Sequence, residues 1–198
     1  MLVERTTVTT GTLPVTEFKD HLRLGTGFAD DAIQDSVLES YLRSAIAAIE
    51  ARTGKILIQR GYTWTLTRWR ETTRQALPIA PVAAITEVKL VDRDGGETTA
   101  DPSTFRLAPD TQRPCLLATG VRLPLVPNSG SVEIQFDAGF ASTWADLPPD
   151  LGQAVFLLAA HYYENRSAMT PGEKTMPFGV SLLIDRYRTV RLFGEGGR

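Results

Sequence analysis

The spacing of apolar residues changes twice along this chain of 198 residues. It is helical at the start, alternates in the middle and is helical again at the end. That order excludes a doubly wound sheet, which would need helices between successive strands. Near the start, Phe18 and Leu22 share a face at i,i+4 spacing, so a short helix is expected after Thr16, ending at Gly25-Thr26-Gly27. Asp30 and Asp31 open a second helix, which runs to about Arg52 with Gly54 as its C-cap. Its apolar residues form two stripes. Leu38, Leu42, Ala45 and Ile49 make one; Val37, Tyr41 and Ala48 make the other. Two stripes imply contacts on more than one side, within the fold or with a neighbour.

The alternation then takes over. Tyr62-Thr63-Trp64-Thr65-Leu66-Thr67 reads as a half-buried strand. Further strands are expected at 86–91, around Phe105 and Leu107, at 115–118 and at 132–136, with a turn at Asp94-Gly95-Gly96. They are short and separated by Pro/Gly-rich turns, so an antiparallel β-sandwich or small barrel is expected. Leu147-Pro148-Pro149-Asp150 places prolines in a first helical turn, and Leu151, Val155, Leu158 and Tyr162 continue it. A last helix is expected from Phe178 to about Leu192, before a glycine-rich end. The expected fold is α+β: terminal helices form a small bundle around an inserted antiparallel β-module. The corresponding segments are 1–55, 56–140 and 141–198.

Composition narrows the function. The chain holds 21 Lys+Arg and 23 Asp+Glu, a net charge of −2, which argues against a general nucleic-acid binder or a polybasic membrane-surface protein. The charge is uneven: residues 1–54 are net acidic, 55–163 nearly neutral and 164–198 net basic. The single cysteine, Cys115, excludes an internal disulfide framework and multi-thiolate zinc sites. Two histidines exclude a three-histidine metal centre. The longest apolar run, 154–160, is too short to span a bilayer, and the opening MLVERTTVTT has no apolar core, so neither membrane span nor leader is expected.

Catalytic candidates are few. His161, in His161-Tyr162-Tyr163-Glu164-Asn165-Arg166, resembles an acid–base pair, but reads better as a polar cluster offsetting a helix C-terminus. His21 has no partner nearby in sequence and reads as structural. Cys115 reads as a small buried hydrophobe, and Asp30-Asp31 as a helix cap rather than a cation site. No phosphate-binding loop and no GxSxG are present. Trp64 and Trp69 with Arg68 and Arg70 mimic a single-strand-binding face, but strand alternation turns Trp64 toward the core. No catalytic residue, metal or cofactor is expected. Arg186, Arg188, Arg191, Leu192 and Phe193 instead read as either a solvated end or a segment that orders on docking.

Several segments together resemble one family. The stretch Leu147-Pro148-Pro149-Asp150-Leu151-Gly152-Gln153-Ala154-Val155, continuing to Tyr163-Glu164-Asn165-Arg166, is similar to the head-to-tail connector proteins of long-tailed phages. So are Met176-Pro177-Phe178-Gly179-Val180 with Leu182-Leu183 and Tyr187-Arg188. Upstream, the helix over 31–52 with Thr53-Gly54-Lys55, then Leu77-Pro78, Pro81-Val82 and Asp137-Ala138-Gly139-Phe140, follow the same order. The branch most resembled is the adaptors of phage-derived gene transfer agents.

The resemblance implies a non-enzymatic virion subunit. It would form a ring, typically of twelve copies, between the portal and the next connector or stopper. DNA would pass through the channel without sequence specificity. Assembly would occur in the host cytoplasm, and the final location would be the particle neck. The expected portal-docking residues are Arg186, Arg188, Arg191, Leu192 and Phe193. Val37, Tyr41 and Ala48 are the expected ring interface. The competing readings are a particle-associated hydrolase and a nucleic-acid-binding module.

Overall fold

The computed structural model describes residues 1–24, 32–165 and 176–188. Four α-helices are described: α1 (Val15–His21), α2 (Ala32–Thr53), α3 (Pro149–Glu164) and α4 (Phe178–Ile184). Between α2 and α3 lies the β-module. Its strands are β2 (Arg60–Leu66), β3 (Arg74–Ala76), β4 (Val82–Val91), β5 (Glu97–Thr99), β6 (Phe105–Ala108), β7 (Cys115–Ala118) and β8 (Ser131–Ala138). The N-terminal β1 (Leu2–Glu4) joins it. One sheet has the order β1-β2-β8-β4-β5 and the other β3-β7-β6, with every pair antiparallel. The fold is therefore α+β, with terminal helices flanking an antiparallel β-module.

The inner stripe of α2 explains the helical layer. Leu38, Leu42, Ala45 and Ile49 are all fully buried, against Leu151, Val155 and Leu158 of α3 and Val180 and Ile184 of α4. Each buried aliphatic side chain contributes roughly 1.5–3 kcal/mol. Helix α2 ends where Gly54 takes φ 69°, a left-handed turn that favours glycine. Helix α3 starts with Pro148 as N-cap and Pro149 as its first residue, where the missing N–H is not needed. Phe18, His21, Phe156 and Trp144 stack in a chain of rings 5.3–6.3 Å apart, fixing α1 on α3.

The second core lies between the sheets. Val132, Ile134 and Phe136 of β8, Val88 of β4, Leu116 of β7 and Leu123 are buried together. The alternation on β8 is complete, with Val132, Ile134, Phe136 and Ala138 in and their neighbours half-buried. The two cores meet at residues 56–58: Ile56 belongs to the β core, Leu57 and Ile58 to the helical core. Phe140 N–H donates to the Leu57 carbonyl at 3.0 Å and Gln59 N–H to the Ala141 carbonyl at 2.8 Å. This close approach requires Gly139. At φ 146°, a Cβ there would lie 2.4 Å from Gln59 Cα.

Two expectations change. The last helix does not run to about Leu192: α4 stops at Ile184, a 3-10 turn covers Asp185–Tyr187, and Arg188 is extended. Its end is set by Tyr187, which must turn inward to be buried. Cys115 is half-exposed rather than buried, because alternation on β7 gives the buried position to Leu116. The opening residues form β1, which pairs with β2 along Leu2–Glu4. The Gly25-Thr26-Gly27 loop and the Asp30-Asp31 cap lie outside the described residues.

Candidate assembly interface

Three of the segments that carry the family resemblance, 137–140, 147–155 and 187–188, meet at one joint. Asp150, in the first turn of α3, accepts from its neighbour Leu151 N–H at 3.0 Å, where the helix dipole favours a carboxylate. The same Oδ1 accepts from the Tyr187 hydroxyl at 2.8 Å. Its Oδ2 lies 2.8 Å from Arg186 Nη2, and that guanidinium also sits over the Tyr187 ring, 4.7 Å from its centroid. Phe140 meets the Tyr187 ring edge-on at 5.5 Å. Burial pushes the Tyr187 phenol pKa up, so it remains a donor to Asp150 at neutral pH. The joint ties the end of the β-module, the start of α3 and the departing C-terminal segment together.

This geometry places the expected docking residues. Arg186 is mostly exposed, yet its guanidinium is held by Asp150. Arg188 lies 3.2 Å from Asp185 in an exposed pair that contributes little to stability. Arg191, Leu192 and Phe193 lie outside the described residues. Of the expected ring residues, Val37 is exposed at 42%. Tyr41 and Ala48 are half-buried against the helical core, and Tyr41 meets Tyr163 edge-on at 6.0 Å. The outer stripe of α2 is therefore open mainly at Val37.

Two exposed apolar groups escaped the sequence reading. Phe178 (83% exposed) and Leu182 (68%) stand one turn apart on the outer face of α4, while Val180 and Ile184 face in. Their i,i+4 spacing looks like an ordinary core stripe, so only the direction of α4 reveals them. Val121 and Leu125 are exposed on the loop between β7 and β8, a loop pinned by buried Leu123 and by Trp69 Nε1 donating to the Pro124 carbonyl at 2.7 Å.

A second polar tie joins the layers. Glu50 of α2 accepts from Leu57 N–H at 2.8 Å through Oε1 and from Arg60 Nη2 at 2.5 Å through Oε2. Glu4 of β1 lies 3.3 Å from the other arm of Arg60. Burial raises the Glu50 pKa, and Arg60 offsets only part of that shift.

The catalytic candidates assemble nothing reactive. His21 and His161 line one open depression with Glu164, Leu157 and Val180. His161 accepts Asn165 Nδ2 at its backbone carbonyl, 3.0 Å away, as part of the helix C-cap. Among the described residues, no group of three His, Cys, Asp or Glu is placed to hold a metal ion. Trp64 and Trp69 pack half-buried against the β core, so neither ring is a free stacking platform.

No protein-family model matches the chain, and no curated protein does. Chains of solved structures do, among them the following three. A chain from the neck of an empty gene transfer agent (GTA) particle, computed with C6 symmetry, is 56% identical with a TM-score of 0.89. A chain from the virion of a native gene transfer agent particle is 56% identical with a TM-score of 0.86. A chain from the neck of a native particle, computed with C12 symmetry, is 52% identical with a TM-score of 0.83. In each case the match covers 98% of this chain and 98% of the other.

Proposed function

The chain belongs to the family of gene transfer agent neck proteins, and from that membership we propose that it is a head-to-tail connector (adaptor) subunit of a tailed phage-like particle. Its role is structural, not catalytic. It associates with copies of itself and with the portal and tail components on either side, and it resides in the particle neck. The observation that carries this reading is 56% identity over 98% of both chains.

Finer features follow as part of the proposal. Twelve copies form the ring, assembled in the host cytoplasm, and DNA passes through the channel without sequence specificity. A net charge of −2 suits that task, because a strongly basic lining would retain the DNA. Val37, Tyr41 and Ala48 contribute to the ring interface. The C-terminal segment docks on the portal through Arg186, Arg188, Arg191, Leu192 and Phe193, with Phe178 and Leu182 extending that surface. The Asp150–Tyr187 joint fixes where this segment leaves the body of the subunit.

Truncation tests the docking. Because Tyr187 is buried in the helical core, the cut belongs after Arg188. Removing residues 189–198 should leave a folded protein with unchanged thermal stability but abolish its recovery with portal-bearing particles. Normal recovery of the truncated chain with tailed particles would refute the docking role.

A further inference from the structure

We infer that neighbouring copies are joined edge to edge, with β5 of one copy pairing in parallel with β1 of the next to continue one sheet across the interface. This rests on the connector reading, which supplies the ring.

The five-stranded sheet ends on β1 at one side and β5 at the other. Four antiparallel steps separate them, so the two edge strands run in the same direction. The backbone shows which groups face outward. Thr65 N–H donates to the Met1 carbonyl and Arg5 N–H to the Gly61 carbonyl, so odd residues of β1 bond to β2. The N–H and C=O of Leu2 and Glu4 therefore turn to the open edge. On β5, Asp92 N–H donates to the Gly96 carbonyl and Ala100 N–H to the Val88 carbonyl, so the even residues bond to β4. Glu97 and Thr99 turn outward. Among the described residues, no backbone hydrogen bond reaches the N–H or C=O of these four outward positions; the side chains of Glu4, Glu97 and Thr99 bond within their own sheet, to Arg60, Lys89 and Glu87, and every residue of β1 and β5 is exposed.

Open edges are blunted by Pro, Lys, a bulge or by keeping the edge strand very short. Here both edges are three residues long, but neither carries Pro, Lys or a bulge, and β1 carries exposed Leu2 and Val3. A closed ring of identical subunits needs a heterologous contact, one surface against a different one. The two ends of one sheet supply such a pair. Rotation about the ring axis preserves strand direction, so codirectional edges meet in parallel. The outward residues then match: one β1 residue bonds to both Glu97 and Thr99. Charge does not oppose this pairing. Lys89 is shared by Glu87 and Glu97 near the β5 edge, and at the β1 edge Glu4 is paired with Arg60 at 3.3 Å.

Cross-linking in assembled particles tests the pairing. Register through β2, β8 and β4 places Val3, Glu97 and Thr99 on the same sheet face. In a Cys115→Ser background, Val3→Cys combined with Thr99→Cys or with Glu97→Cys, treated with a short bis-maleimide, should give a ladder of covalent multimers. Each single cysteine should give none. Thr99→Pro removes an outward backbone donor and, of the bonds to β4, only the exposed one from Thr99 Oγ1 to Glu87 at 3.0 Å; it should melt with Thr99→Val, which also lacks that side-chain bond, and lower neck incorporation at least tenfold relative to it. Particles that hold the double variants at normal amount without any ladder, or normal incorporation of Thr99→Pro, would overturn the pairing. Absence of the wild-type chain from purified particles would instead overturn the connector reading beneath it.

Discussion

Tyr187 shows how one residue sets the shape of the C-terminal region. Its hydroxyl bonds to Asp150, its ring meets Phe140, and its burial ends α4. Tyr187→Phe should cost about 1 kcal/mol in denaturant unfolding, since the half-buried carboxylate of Asp150 loses a donor. Gly139 is equally constrained. Gly139→Ala should cost roughly 3 kcal/mol or more, because backbone strain adds to the collision with Gln59. Glu50 gives a pH signature. Burial raises its pKa above 4.5, so the folded chain holds that proton more tightly than the unfolded chain. Its contribution is therefore full below about pH 4.5 and declines as pH rises through the raised value. Relative to Glu50→Gln, wild-type stability should fall between pH 4 and 7; a relative rise would contradict the assignment. None of these three roles was legible in the sequence. Asp150, Gly139 and Tyr187 stood out only as parts of a resemblance, and the contacts that explain them join residues far apart in the chain.

At the scale of elements, period was informative where elements are long. The inner stripe of α2 and the alternation of β8 both came through, since each repeats enough times to define a face. The three-residue strands β1, β3 and β5 did not, because three residues cannot establish a period. Helix α4 was visible as apolar, but its spacing could not say that Leu182 faces solvent. The contrast between the two stripes of α2 gives a direct test. Leu42→Ala should cost about 2–5 kcal/mol, as a fully buried side chain leaves a cavity. Val37→Asp, on the exposed stripe, should change stability by less than about 0.5 kcal/mol yet reduce assembly. Thermal unfolding of the two variants, beside their recovery in particles, separates packing from interface.

Across the whole molecule, two cores meet at a narrow seam held by Gly139, the strand pair around Leu57 and Ala141, and the Glu50–Arg60–Glu4 tie. We propose that the segments 1–55, 56–140 and 141–198 act as two units, a bundle of both ends and the inserted β-module. Native-state hydrogen exchange should then show two protection levels divided at that seam. The resemblance pointed to the neck because several weak segments occurred in one order, and part of that order has a structural basis: 137–140, 147–155 and 187–188 build the seam and the joint at Asp150. The surfaces that face partners were less legible, since partners impose no periodicity on one chain. The most direct measurement is electron cryo-microscopy of assembled particles carrying this chain. Its density should form a ring of twelve copies between portal and tail. Density for it in the capsid shell or the distal tail, or its absence from complete particles, would overturn the connector assignment.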